Sequence, residues 1–220
     1  MDEIVKQALA KWPNVPHCHG WLALDARGYW RMRDEHAQRH DLPGERITSP
    51  ALIDFIRRNY TYDERGNWYF QNGPQRVYVD LEVAPHVVRT DPAAGFVLHT
   101  GQPIAHLEAA WLSDHGRLLL QADSKLCLLD DRDMAECLPR MQRDRNELDE
   151  ESLLHWIAQE GQSHALTFLD GGDYLSVSYV KEDALETQFG FVKRPRAPEI
   201  EPNPEFRVDD LPSKTDKNAS

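Results

Sequence analysis

Cysteine is scarce in this chain, and its few copies are irregularly spaced. The 220 residues contain three cysteines, which are Cys18, Cys127 and Cys137. A disulfide framework needs an even, regular set and an oxidising compartment, so these residues favour buried or free thiols in a reducing one. No stretch approaches 18 consecutive apolar residues, and the first residues lack the basic start and apolar run of a signal peptide. We therefore expect a cytoplasmic protein without a membrane segment.

Positive charge is scarce as well. Lys and Arg total 25 against 37 Asp and Glu, which gives a formal net charge of −12. An acidic surface repels nucleic-acid phosphates and anionic membrane faces. We therefore expect neither a nucleic-acid partner nor a membrane partner.

Motifs of common enzyme sites are missing. The sequence has no Gly-x-Gly-x-x-Gly or Gly-x-x-x-x-Gly-Lys loop for phosphates and no Gly-x-Ser-x-Gly elbow for a nucleophile. Cys127 lies in the apolar run Leu-Cys-Leu-Leu, which is typical of a core residue. The acidic group Asp130, Asp131 and Asp133 is typical of a helix start, where carboxylates stabilise the positive end. These patterns predict no cofactor.

The chain does contain a repeated segment. Residues 22–32 and residues 60–70 align without a gap, and both read apolar, any, apolar, Asp, any, Arg, Gly, any, Trp, any, apolar. The Asp side chain can accept hydrogen bonds from turn amides, and the Gly supplies the positive φ of a bulged type I turn. Both segments are therefore predicted to form tight β-hairpins.

Looser copies of this hairpin follow, and their loops differ in length. The segment from Asp91 to Gly95 has one residue more, that from Asp114 to Gly116 has one fewer, and that from Asp170 to Gly172 is the most divergent. Short helices are predicted to start near Asp2, Ser49, Asp131 and Glu151. The sequence thus predicts an α+β fold that is mainly antiparallel β, with repeated Asp-x-x-Gly hairpins and three or four short helices.

Composition divides the chain into four parts. Residues 1–139 are predicted to be a β-rich repeat body, and the charge-dense residues 140–150 a linker. Residues 151–192 are predicted to be a helix and a hairpin that pack on the body. Residues 193–220 hold five of the 14 prolines and few apolar residues, which predicts a disordered tail. Within it, the apolar residues available for docking on a partner are Phe206, Val208 and Leu211.

Three stretches carry a family resemblance. They are residues 4–16, residues 20–22 and residues 63–79, of which the last reads DERGNWYFQNGPQRVYV. These stretches resemble a family of uncharacterised proteobacterial proteins known only as a domain of unknown function, and the resemblance covers roughly residues 1–135. More distantly, the hairpins and Gly-Pro turns are similar to another bacterial family of unknown function, for which a role in signalling has been suggested. The resemblances imply a fold class and a bacterial cytosolic setting, and they supply no catalytic residues.

Histidine and cysteine cluster near the N-terminus. His17, Cys18 and His19 are consecutive, and His36 and His40 have the i, i+4 spacing of one helix face. Mixed nitrogen and sulfur ligands suit a transition metal. In an extended segment, however, the two histidines point to one side and the cysteine to the other. Ordinary turn and surface histidines are the simpler interpretation, and a metal site stays open.

A second polar set lies in the second hairpin and its exit. Its aromatic, amide and guanidinium groups can form a surface for a small molecule or a peptide, and they are Trp68, Tyr69, Asn72, Gln75, Arg76 and Tyr78. The alternative is that Trp68 is a core residue and Arg76 pairs with a surface carboxylate.

We interpret the chain as a non-enzymatic binding or regulatory module for a protein or a small ligand. The hairpin motif explains the repeated Asp, Gly and Trp residues structurally and leaves no catalytic set. Two alternatives stay open. One is an enzyme whose loop-built site uses Arg76, Asp80 and histidines, and the other is a metal- or haem-handling protein that uses the region of His17, Cys18 and His19.

Overall fold

Two β-sheets form the frame of the described chain, which comprises residues 2–11, 15–143 and 146–197 of a computed structural model. The strands are β1 Cys18–Leu24, β2 Trp30–Met32, β3 Glu45–Arg46, β4 Tyr60–Tyr62, β5 Trp68–Asn72, β6 Gln75–Leu81, β7 His86–Asp91, β8 Gly95–Leu98, β9 Pro103–Ile104, β10 Leu107–Ser113, β11 Leu118–Ala122, β12 Lys125–Leu129, β13 Met141–Arg143, β14 Asn146–Glu147, β15 Leu166–Asp170 and β16 Asp173–Val180.

Six short helices accompany the strands, where three or four were expected. They are α1 Glu3–Lys11, α2 Glu35–Arg39, α3 Pro50–Arg58, α4 Met134–Cys137, α5 Glu150–Ala158 and α6 Leu185–Phe189. Helices α2 and α6 are the additions, and each has five residues, too few for a clear helical period in the sequence. Within the described ranges, no helix is long and apolar enough to cross a membrane.

Most strand pairs are antiparallel, which confirms the predicted fold class. The first sheet has the order β3-β2-β1-β6-β5-β4, and the second has the order β14-β13-β15-β16-β10-β11-β12-β7-β8-β9. Three contacts between neighbouring hairpins are parallel, namely β1 with β6, β10 with β16 and β12 with β7. Hairpins are thus the building unit, and parallel contacts join them.

The first two hairpins have the predicted turn chemistry. The Oδ1 atom of Asp25 accepts hydrogen bonds from the backbone N–H groups two and four residues ahead, at 3.1 and 2.8 Å. Asp63 accepts the corresponding pair at 3.0 Å each. Gly28 and Gly66 close the turns with φ of +77° and +78°. Both residues named by the motif therefore act as predicted.

The hairpin between β10 and β11 corrects the predicted loop length. Ser113 takes the position that Asp25 has in the first hairpin, because its Oγ accepts hydrogen bonds from His115 N–H and Arg117 N–H at 3.2 and 3.1 Å. The turn therefore has the same length as the first two. The sequence pattern favoured Asp114 because it is acidic, but a serine hydroxyl accepts the same turn amides.

The last two copies are also hairpin turns, with shapes of their own. Asp91 pairs across the strands with Gly95, and its Oδ1 accepts two turn amides at 2.9 and 2.8 Å. Asp170 pairs directly with Asp173, so that a two-residue Gly-Gly loop remains. Both central glycines there have positive φ, as such tight hairpins require.

Cys127 and the acidic group take structural positions. Cys127 is fully buried as a free thiol, and burial raises its pKa to about 12. Asp130 accepts a hydrogen bond from Arg132 N–H at 3.1 Å and so caps the helical turn that leads into α4. Cys137 is likewise buried and Cys18 is half-buried, both as free thiols.

The segment 140–150 is not the expected linker, because it contains strand β13. This strand pairs with β15, and Met141 is fully buried while Arg143 is exposed. A single inward apolar residue in a charge-rich segment gives no visible alternation, so the sequence pattern concealed the strand.

Residues 190–197, most of which were expected to belong to a disordered tail, instead cross the first sheet, and we call them the C-terminal strap. Leu81 N–H donates to Lys193 O at 2.7 Å, and Val192 N–H donates to Gly66 O at 3.0 Å. These backbone hydrogen bonds pin the strap to the second hairpin. Residues 198–220, with Phe206, Val208 and Leu211, lie outside the described residues.

Two hydrophobic cores hold the fold together. One packs α4 and α5 against the second sheet. The other joins the two sheets, since it combines Leu24 and Val79 of the first with Leu119 and Leu128 of the second. The first sheet therefore buries one face against the second sheet and leaves its opposite face to polar side chains.

Two histidines are buried where the sheets meet. The ring centroids of His86 and His99 lie 5.7 Å apart, and both rings contact aromatic side chains of the first sheet. Burial lowers the pKa of His86 to about 3, and it holds that of His99 well below its ordinary value. Positive charge on Lys125 and Arg57 acts in the same direction. Both rings are therefore neutral in the folded protein at pH 7.

We expect acid to destabilise the protein through these rings. Unfolded histidines take up protons near pH 6.5 and the buried ones do not, so below that pH the unfolded state binds more protons and stability falls. Each such histidine adds up to about 1.4 kcal/mol per pH unit to the slope of the unfolding free energy against pH. His86→Phe should flatten the fall in unfolding free energy, measured by urea denaturation. His155→Gln, at an exposed position of α5, is the control, and an unchanged slope in His86→Phe would contradict the prediction.

Gly66→Ala should destabilise the fold more than Gly95→Ala. Both glycines have positive φ, which costs other residues about 1–2 kcal/mol. A Cβ atom at Gly66 would also lie 2.3 Å from the backbone oxygen of Gly190 in the strap, whereas one at Gly95 would meet nothing within 4 Å. Overpacking of this kind adds about 1–3 kcal/mol, which urea midpoints can resolve. Equal losses of stability in the two variants would show that the strap moves away from the added Cβ atom without a measurable energetic cost.

Candidate functional site

The polar face of the first sheet carries the candidate site. Along β6, Val77, Val79 and Leu81 belong to the core between the sheets. Arg76, Tyr78 and Asp80 alternate with them and therefore lie on the opposite face. The strap has an arginine in each of two clefts on this side, Arg194 in a smaller one and Arg196 in a larger one.

The larger cleft, which we call the aromatic cleft, has a volume of about 580 Å³. It is lined by His17, His19, Tyr62, Asp63, Glu64, Arg65, Asn67, Tyr69, Arg76, Tyr78 and Arg196. Three elements supply most of these residues: the chain entering β1, the second hairpin with its exit strand β6, and the strap.

Tyr78 is the centre of the cleft wall. The His19 ring stacks on it with centroids 4.4 Å apart, and His17 meets its edge at 6.0 Å. Tyr69 packs edge-on at 5.7 Å from the other side. The Tyr78 hydroxyl donates a hydrogen bond to Asp63 Oδ2 at 3.2 Å. Ring contacts and a hydrogen bond therefore fix this wall before any ligand arrives.

Arg76 brings a positive charge to the cleft. Its guanidinium carbon lies 4.6 Å from the centre of the Tyr69 ring, and a hydrogen bond with Tyr78 raises its pKa. Among the described residues, several other arginines form ion pairs with carboxylates, but neither Arg76 nor Arg196 does. The proposed pairing of Arg76 with a surface carboxylate is therefore absent from this part of the chain.

Asp63 lines the cleft, but its carboxylate is already occupied. Its oxygens accept hydrogen bonds from the Arg65 and Asn67 amides, from the Asn67 side chain and from Tyr78. Partial burial works to raise its pKa, yet these donors hold the pKa below the ordinary value. The carboxylate oxygens of Asp63 are thus engaged by its own turn and by Tyr78.

The two histidines of the cleft are neutral at pH 7. Burial, followed by the nearby Arg76, lowers the pKa of His17. Burial, followed by His17, lowers that of His19. The positive potential of the cleft at neutral pH therefore comes from its arginines.

Comparison with known proteins gives a family. The model of family DUF2944, described as "Protein of unknown function (DUF2946)", matches residues 1–196. The chain belongs to this family. The match confirms the resemblance to a family of unknown function, and it extends beyond residue 135 to include Arg196 of the strap. No curated protein matches the chain.

Two crystal structures of DUF1285 family proteins are similar to this chain at low identity. The protein from Silicibacter pomeroyi DSS-3 is 14% identical with a TM-score of 0.42, and the match covers 84% of this chain and 99% of that one. The protein from Shewanella baltica OS155 is 13% identical with a TM-score of 0.37, and the match covers 61% of this chain and 96% of that one.

Within this member of the family, the second hairpin divides the six predicted ligand residues between two faces. Tyr69, Arg76 and Tyr78 line the aromatic cleft. Trp68 instead packs on Tyr60 and His86 where the sheets meet, with centroids 4.8 and 4.9 Å away. Strand alternation sends Trp68 to the face opposite Tyr69, and a single patch cannot include both.

The other two predicted residues also lie elsewhere. Asn72 borders an apolar groove on the core side of the sheet. The Gln75 side chain donates to Pro16 O at 2.8 Å, which fastens the segment before β1. Gln75 therefore supports the position of the cleft without lining it.

The predicted metal ligands are divided in the same way. His17 and His19 line the aromatic cleft, whereas Cys18 borders the apolar groove on the other side. The rings of His36, on α2, and His40, at its end, lie 4.6 Å apart and are tilted by 51°, and neither lines the cleft. In the described ranges these five residues do not bring three ligand atoms together.

One group that sequence reasoning missed does bring three together. Asp114, His115 and Glu182 have possible ligand atoms within 4.8 Å of one another. Glu182, however, already accepts hydrogen bonds from Ser113 and Arg117 at 2.9 and 3.1 Å. These contacts within the protein account for the position of the Glu182 carboxylate.

Sequence reasoning also missed Arg196 and Tyr62. Arg196 lay in the expected tail, although the basic run from Lys193 to Arg196 was a signal that this part of the chain differs from the rest. Tyr62 was treated as a hairpin flank, but its side chain is 60% exposed at the cleft.

Proposed function

We propose that this protein is a non-enzymatic binding module that holds a small anionic ligand in the aromatic cleft. The observation that carries the proposal is the pair Arg76 and Arg196, which face one cleft without a carboxylate partner among the described residues.

The chemistry of the cleft supports an anion with at least two oxygens. A guanidinium group matches carboxylate, phosphate and sulfonate groups through paired hydrogen bonds. The exposed ring of Tyr62 offers an apolar surface for the rest of the ligand. A volume of about 580 Å³ suits a small molecule.

The contacts of the possible acid–base groups support binding over catalysis. The His19 ring is stacked on Tyr78, and Asp63 is bound by its own turn. Asp80, considered as a catalytic group, forms a buried ion pair with Arg33 at 2.5 Å. These groups hold the wall of the cleft in place.

Arg76→Gln should weaken the binding of benzenesulfonate, a probe that combines a permanent anion with a planar ring. A hydrogen bond to a charged group contributes about 1.5–3 kcal/mol, so we expect a loss of roughly 10- to 100-fold in affinity by calorimetry. Arg89→Gln is the control, because Arg89 is exposed on β7 of the second sheet and outside the cleft. Equal affinity in the wild type and both variants would refute the proposal, as would no binding at all.

The affinity for benzenesulfonate should rise as the pH falls below 6.5. Protonation of His17 and His19 adds positive charge to the cleft, and their lowered pKa values place this change on the acid side of 6.5. The sulfonate keeps its charge over this pH range, so a change in affinity reflects protonation of the protein. The double variant His17→Gln, His19→Gln should lose the rise in affinity below pH 6.5, whatever its affinity at pH 8. A double variant with the wild-type pH profile would show that other groups titrate.

A further inference from the structure

The strap has one firmly held part and one part that faces the aromatic cleft. Three hydrogen bonds hold Lys193. Its carbonyl oxygen accepts from Leu81 N–H, its N–H donates to Glu186 Oε1 at 2.6 Å, and its Nζ donates to Glu182 O at 3.0 Å. Arg194 forms an ion pair with Asp41 at 2.9 Å. Arg196, two residues further on, is exposed, lines the cleft and has no such partner among the described residues.

Arg76 and Arg196 both line the cleft that holds the ring stack of His17, His19 and Tyr78. Arg76 N–H donates to His17 Nδ1 at 3.4 Å. The charge of Arg196 acts to lower the pKa of His19 and of Asp80. Asp80 is already paired with Arg33, so it leaves the Arg196 guanidinium available.

We propose that the ligand's anionic group bridges Arg76 on the sheet and Arg196 on the strap, so that ligand binding fastens the end of the strap to the sheet. This inference rests on the proposed function and assigns its regulation to the strap. An anion with two or more oxygens can accept hydrogen bonds from both guanidinium groups at once. A ligand that binds only the docked strap stabilises docking by mass action.

The arrangement gives Arg196 a role that its strap neighbour Arg194 does not have. Arg194 pairs with Asp41 in the smaller cleft, and because both side chains are exposed this pair contributes little to holding the strap, which the backbone hydrogen bonds and the Lys193 contacts hold. Arg196 depends on the ligand for its partner. Any process that frees the strap would therefore release the ligand as well.

Two matched variants of the full chain test the affinity. Arg196→Gln should lower the affinity for benzenesulfonate at least tenfold, as expected for the loss of a charged hydrogen bond. Arg194→Gln changes the same residue type two positions earlier and should stay within about twofold of the wild type. If the wild type and Arg194→Gln bind, Arg76→Gln does not, and Arg196→Gln binds normally, the strap inference is overturned and the proposed function survives. If the wild type does not bind the probe, both fail.

Trypsin supplies a second readout on the wild-type chain. The bond after Arg196 is a tryptic site, whereas the bond after Arg194 is blocked by the following proline. If the ligand fastens the strap, cleavage after Arg196 slows by a factor that rises with benzenesulfonate and approaches about 100 at a hundred times Kd. Cleavage after Arg207 is the internal control and should not change. Equal rates after Arg196 with and without bound probe would overturn the inference.

Discussion

Burial of one face of the first sheet against the second sheet decides where the polar residues of this protein lie. Val79 of the first sheet and Leu119 of the second are fully buried in the core that joins them. Each buried apolar side chain of this size contributes about 1.5–3 kcal/mol. Because side chains alternate along a strand, fixing Val79 inward also fixes Tyr78 and Asp80 outward. The aromatic cleft is thus a consequence of the core on the other side of the same strand.

The strap depends on the same arrangement, since it must lie close to the second hairpin without disturbing it. Gly66 has two functions there: its positive φ closes the hairpin turn, and its missing side chain leaves room for the Gly190 carbonyl. Val192 N–H then bonds to Gly66 O. The residue that makes the hairpin therefore also makes the contact that carries Arg196 to the cleft.

The parts of this fold that could be predicted from the sequence are those determined by local turn chemistry. Asp63 and its glycine identified the second hairpin because both residues act within a few positions of each other. Ser113 was overlooked because a hydroxyl can replace a carboxylate in that role, and strand β13 was overlooked because only Met141 points inward. In the cleft, Arg76 was predicted from its own segment. Arg196 was not, because its position depends on a contact with a hairpin more than 120 residues earlier in the sequence, which no local pattern records.

The location of the positive charge explains how an acidic protein can attract an anion at one place. At an ionic strength of 0.15 M, charges more than about 8 Å apart are largely screened, so most of the acidic surface is weakly felt inside the cleft. The near charges therefore decide, and among the residues that line the cleft three arginines outnumber the two acidic residues Asp63 and Glu64. Arg76, half-buried against Tyr69, is only partly hydrated, which strengthens its interaction with an anion. The repeated hairpin supplies the frame of the cleft, and residues outside the repeat, such as Arg76 and Arg196, supply the positive charge on which the proposed binding of an anion depends.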